Sequence, residues 1–122
     1  MLKDREKNEA WCNALREQGV NVDKALERMK GNAAAYRDFL IEFLTDPDFA
    51  SLEEAVKAEN VRAAFDYAHG LKGMAANLGL DAVCHKINVL VEILRAEQTE
   101  GAAEALGEVM AACGDLTRLL YP

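Results

Sequence analysis

Apolar residues recur along this chain at alternating spacings of three and four, and nowhere do they alternate with a period of two over a useful length. The first spacing returns to one side of a 3.6-residue helix, whereas a half-buried strand needs the second, so the chain is restricted to an all-α fold. The clearest run is Val61, Ala64, Ala68, Leu71, Ala75 and Leu78, the stripe of a helix packed on a core. Tyr36, Phe39, Leu40, Phe43 and Leu44 make a second, broad apolar face. Val83, Ile87, Leu90, Val91 and Leu94 make a third, and Leu106, Val109, Met110, Leu116 and Leu119 a fourth.

The breaks between stripes set the helix lengths. Residues 3 to 18 carry Trp11 and Leu15 one turn apart among charges and stop before Gly19, as a short amphipathic helix lying against something larger. Asp23 to Met29 follows, closed by Lys30-Gly31, where glycine suits a left-handed cap. Asn32 caps the next helix, which Asp46-Pro47-Asp48 interrupts, since proline lacks an amide proton and disfavours helix at the residue before it. Phe49 to Glu59 resumes helical spacing through Leu52 and Val56. Asn60 caps a helix that ends at about Leu78 before Gly79; Leu80 to about Gln98 is the next, and Ala102 to Leu120 the last, after a turn at Gln98-Thr99-Glu100-Gly101. Four principal helices with short connections predict an up-and-down four-helix bundle with additional short N-terminal helices. At 122 residues the chain holds one real core, divided as an accessory helix over residues 1–18 and a bundle domain over residues 19–122.

Composition narrows the class. With 51% hydrophobic and 29% charged residues the chain is globular rather than disordered. A net charge of −7 argues against nucleic acid, whose phosphates would repel it. Cys12, Cys84 and Cys113 are odd in number, widely spaced and without a CxxC, so neither a disulfide framework nor a zinc site is signalled. No apolar run approaches the roughly 20 residues of a membrane span, and the charged start does not resemble a secretory signal. These features predict a cytoplasmic protein; the methionine start and the helical ends favour a free-standing chain over a piece of a longer one, with a monomer as the default.

One stretch breaks the local rules. Ala68-His69-Gly70-Leu71-Lys72-Gly73 puts two glycines inside a helix, each costing roughly 1 kcal/mol against alanine. His69, Lys72, Gly73 and Ala76 stand at i, i+3, i+4 and i+7 and share one face beside the buried stripe. That face combines a titratable nucleophile, a cation one turn away and bare backbone, which suits the carriage of a phosphoryl group. The plainer readings are a structural histidine and a solvated lysine, and they hold for His85, around which nothing repeats the pattern. Gly70 can instead lie on an outer face or allow close packing. Asp66 precedes His69 by three residues, like one half of a di-metal Glu-x-x-His pair. A second copy and two further inward glutamates are not evident, so no metal is expected.

Together these residues resemble the histidine-containing phosphotransfer (HPt) domain of two-component phosphorelays. Ala68-His69-Gly70-Leu71-Lys72-Gly73 with Asn77-Leu78-Gly79 is similar to that family's phosphorylation motif. Upstream, Val22-Asp23, Ala25-Leu26, Arg28-Met29, Gly31-Asn32, Tyr36 and the helix from Phe39 to Phe43 match as well, so the similarity covers roughly residues 19 to 120. It implies a four-helix bundle whose exposed histidine accepts a phosphoryl group from one receiver-domain aspartate and passes it to another. Partners would be receiver domains of response regulators and hybrid sensor kinases. On this resemblance His69 is the phosphoacceptor, Lys72 the neighbouring cation, Gly73 the small residue that keeps access open, and Gly79 the helix stop. Many members also offer a polar side chain to the histidine from the following helix. The nearest position here is Val91, with Asn88 and Arg95 a turn to either side.

An exposed His69 can attack phosphorus through a ring nitrogen that carries no proton. The chain has no acidic cluster for magnesium and no glycine loop opening a helix around a phosphate. Magnesium and the second reactive residue are therefore expected from the partner receiver, with no cofactor in this chain and neither ATP binding nor self-phosphorylation. Docking should use small or apolar residues, Phe65 and Ala76 first. The rival reading is a helical adaptor that binds a receiver or kinase without moving phosphate.

Overall fold

Asparagine side chains open three of the helices in the computed structural model, which describes residues 4–121. The Oδ1 atoms of Asn21, Asn32 and Asn60 accept from the backbone N–H groups of Lys24, Ala35 and Ala63 at 3.3, 3.0 and 3.2 Å. Each satisfies a donor that the first turn leaves without a helical partner. The helices they open are α2 (Val22–Arg28), α3 (Ala33–Leu44) and α5 (Val61–Asn77). Before them lies α1 (Asp4–Glu17). Pro47 separates α3 from α4 (Asp48–Lys57), and α6 (Asp81–Arg95) and α7 (Ala102–Leu120) complete the chain. Among the described residues every element is helical. Met1 to Lys3 of the expected accessory helix, and Pro122, lie outside them.

The bundle expected from the sequence is present. α5 packs between α4 and α6, α6 packs on α7, and α3 and α4 close against α7. Its core joins Tyr36, Leu40 and Phe43 of α3, Leu52 of α4, Leu71 of α5, Ile87, Leu90 and Val91 of α6 and Val109 of α7, all buried. Burial of one such side chain is worth about 1.5–3 kcal/mol, which is what fixes the helices against one another. Phe43 meets Phe49 edge to face at 5.3 Å across the Pro47 break, tying α3 to α4. α1 buries Cys12 and Leu15 and sets the Trp11 ring 5.9 Å from Tyr36, so it braces the bundle.

Three expectations are corrected. Phe39 is 50% exposed, because Tyr36, Leu40 and Phe43 define the buried line of α3 and Phe39 lies about 100° round the helix from Leu40. Met110 is exposed for the same reason, one residue past Val109. The sixth helix also stops at Arg95 rather than Gln98. Glu97 takes a φ of 57°, and the N–H groups of Glu97 and Gln98 turn back to the carbonyls of Leu94 and Ile93 at 2.9 and 3.2 Å. Among the described residues no helix is long and apolar enough to cross a membrane.

Candidate functional site

α5 carries the residues singled out by the sequence. Its stripe of Ala64, Ala68, Leu71 and Ala75 is buried, which turns His69 outward into solvent. Gly73 and Ala76 are exposed on the same side and Lys72 is half-buried at its edge. Gly70 and Gly73 are both helical, and a Cβ added to either would meet no neighbouring heavy atom within 4 Å. Interior packing therefore asks for neither glycine, and the close-packing reading of Gly70 falls away. Gly107 on the outer face of α7 is equally open, so an idle glycine is not by itself a mark of function. What distinguishes Gly70 and Gly73 is their place beside an exposed imidazole.

The C-terminal end of α5 is held from outside the helix. Leu80 N–H reaches the Ala75 carbonyl at 3.0 Å and Gly79 N–H the Ala76 carbonyl at 3.2 Å, a Schellman closure with Gly79 at φ 74°. Arg28 Nη1 donates to the carbonyls of Ala76 and Asn77 at 3.3 and 2.8 Å. The Tyr36 hydroxyl donates to the Leu78 carbonyl at 2.7 Å, and Asn21 N–H to the Gly79 carbonyl at 2.9 Å. Four carbonyls at the end of the histidine helix are thus occupied by donors from α2, α3 and the turn before α2. Burial pushes the Tyr36 phenol well above its ordinary range and keeps it a donor. Gly79 is required twice over: its φ suits glycine, and a Cβ there would collide with the Asn21 carbonyl oxygen. The sequence marked the Gly79 stop, but Arg28, Tyr36 and Asn21 were not visible as its partners.

On the α6 side, the Cys84 thiol donates to the Lys72 carbonyl at 3.7 Å and links the two helices. Further along, the Arg95 guanidinium lies over the Phe65 ring, 5.1 Å from its centroid. Phe65, half-buried, in turn stacks on His69 with centroids 5.6 Å apart and planes 26° from parallel. Val91 is fully buried and presents nothing polar, and Asn88 buries an Oδ1 that makes no hydrogen bond. Of the three α6 positions considered from the sequence, Arg95 is the one that approaches the site, through Phe65.

On the opposite flank of α5, Met74 is 37% exposed and with Phe39, Met29, Phe43 and Leu78 lines an open cavity of about 460 Å³, with Arg28 and Glu42 at its edge. This patch was not legible in the sequence, because Phe39 reads there as a core residue. Asp66 and His85 are exposed. Among the described residues no group of three or more His, Cys, Asp or Glu is placed to hold a metal ion.

An outward imidazole on a braced helix, with open backbone beside it, in an all-α bundle, is the setting in which the family comparison falls. The family model described as the Hpt domain matches residues 35–120. The chain belongs to the Hpt domain family. The family's function is histidine phosphotransfer in two-component signalling, and Hpt domains interact with receiver domains in phosphorelays. No curated protein and no solved structure is a significant match. In this Hpt domain α1, α2 and the similarities noted from Val22 to Asn32 lie ahead of the matched residues, although Asn21 and Arg28 brace the matched part.

Proposed function

We propose that this Hpt domain relays a phosphoryl group between receiver-domain aspartates through a phosphohistidine at His69. The observation that carries the reading is the exposed His69 imidazole beside two glycines that no packing among the described residues requires. A neutral imidazole nitrogen attacks the phosphorus of the partner's acyl phosphate in line. The N–P bond forms as the O–P bond breaks, and the aspartate leaves as its carboxylate. Because the side chains reacting with the phosphoryl group come from two proteins, positioning dominates the rate, and bare backbone at Gly70 and Gly73 lets the receiver approach. Lys72, one turn on, supplies a flexible cation for the phosphoryl oxygens. Magnesium belongs to the receiver in this scheme, and this chain brings no cofactor.

Docking engages both flanks of α5, with Phe65 and Ala76 on one side and Phe39 and Met74 on the other, the last two being among the most exposed large apolar side chains described. The domain acts as a monomer in the cytoplasm, in keeping with three free thiols, two of them buried.

The test is transfer from a phosphorylated receiver domain to this chain and to His69→Gln. The expected result is an acid-labile, base-stable label on the wild type and none on the variant, with receiver binding retained by both. Binding with no label on the wild type, across a broad receiver panel, would establish an adaptor instead.

A further inference from the structure

Two contacts lead from α6 to the acceptor. Arg95 sits over Phe65, and Phe65 stacks on His69. The i, i+4 spacing of Phe65 and His69 puts them on adjacent turns of one face, so the stack is built into α5. Arg95 comes from the last turn of α6, where Nε donates to Glu92 Oε1 at 3.3 Å. That exposed pair contributes little energy, but it orients the guanidinium and leaves both Nη groups unused by it. Phe65 supplies the platform: a cation over an aromatic face is held by the ring quadrupole even where water competes. In a chain of net charge −7, Arg62, Arg95 and Glu97 line the recess against Phe65, Glu92 pairs with Arg95, and Asp66 and Lys72 lie one turn either side of His69 on α5.

The position α6 could have used for a hydrogen bond is closed. Val91 is fully buried, and among the described residues no α6 side chain hydrogen-bonds the His69 ring. What α6 delivers instead is a fixed positive charge.

We propose that Arg95, seated on the Phe65 ring, is a positioning residue of the phosphotransfer site that keeps a cation beside His69 and lengthens the life of its phosphohistidine. This rests on His69 being the phosphoacceptor. When a phosphohistidine is lost to water, the P–N bond breaks, a water oxygen bonds to phosphorus, and the leaving imidazole nitrogen takes up a proton. The products are a neutral imidazole and inorganic phosphate. Protonation of the ring makes it the better leaving group, and a guanidinium nearby opposes that second positive charge. The ring of Phe65 covers one face of the imidazole and restricts the rotamer in which the group is carried. A carrier that must meet two partners in turn gains from slower loss to water.

The test uses the full chain, charged with phosphoramidate as a small-molecule donor and then freed of it, with decay followed by phosphorus NMR at neutral pH. Removing a unit charge one ring away from the imidazole, in surroundings close to water, should shorten the lifetime about 3-fold in Arg95→Gln. Arg95→Lys, which keeps the charge, should stay near the wild type. In a Phe65→Leu background, where the guanidinium has lost its seat, Arg95→Gln should add little. The Arg95 side chain is 54% exposed, so these variants should melt within a degree or two of the wild type. An unchanged lifetime in Arg95→Gln, or decay of Arg95→Lys as fast as Arg95→Gln, overturns the proposal. Absence of any label at His69 of the wild type after reaction with a phosphorylated receiver overturns the acceptor reading, and this inference with it.

Discussion

Gly73→Ala separates a residue kept for a partner from one kept for the fold. The glycine lies inside α5 with helical geometry, and the new methyl group would have no neighbouring heavy atom within 4 Å. No strain or collision offsets the gain in helix propensity, so the variant should be more stable by about 0.5–1 kcal/mol. For a chain of this size that is a rise of roughly 2–4 °C in melting temperature. The same methyl group stands one turn from His69, on the surface a receiver must approach. Displacing a reacting group by about 1 Å can cost on the order of 100-fold in rate, so transfer from a phosphorylated receiver should fall at least roughly 10-fold. Gly107→Ala is the control: the site is equally open but on the outer face of α7, so it should stabilise by a similar amount and leave transfer unchanged. The assay pairs urea unfolding with receiver-to-domain transfer kinetics. Destabilisation by Gly73→Ala would refute the packing argument. Higher stability with undiminished transfer would refute the role given to the glycine.

Gly79→Ala should do the opposite, losing about 3 kcal/mol or more in urea unfolding, since left-handed φ costs about 1–2 kcal/mol and the methyl group meets the Asn21 carbonyl. Tyr36→Phe removes the buried donor to the Leu78 carbonyl and should cost about 1–3 kcal/mol by the same measurement, with helix content by circular dichroism unchanged at low temperature. Burial pushes the Cys113 thiol up to about 11, above the roughly 8.5 of an unfolded thiol. Its contribution is therefore complete below about pH 8.5 and is lost as pH rises toward 11, because the unfolded chain sheds that proton first. Cys12 and Tyr36 are shifted the same way, so Cys113→Ala should flatten, without abolishing, the alkaline fall in stability.

What could be read from the sequence was whatever one helix contains. Asn32, Asn60, Pro47 and Gly79 act on backbone within a turn of themselves, so helix starts and stops followed from residue type. His69, Lys72 and Gly73 were legible as a group because helical spacing alone puts them on one face. The ends set by non-glycine residues in left-handed geometry were not: nothing in Glu97 announces a φ of 57°. Nor was Phe39, because the width of the buried face of α3 depends on how its neighbours pack. The contacts that brace or flank the site cross between helices: Arg28 to Asn77, Tyr36 to Leu78, Arg95 to Phe65. A one-dimensional pattern carries no distance between segments 30 to 50 residues apart, so these waited for the structure.

The central claim concerns one imidazole of two. His69 and His85 are both exposed, on α5 and α6, and only His69 has the glycines, the lysine and the stacked ring about it. The most direct measurement is mass-spectrometric mapping of the phosphoryl group after a phosphorylated receiver has reacted with this chain, worked up without acid. The account predicts the modification on the peptide bearing His69 and none on the peptide bearing His85. Modification at His85, or at a side chain other than histidine, would contradict it.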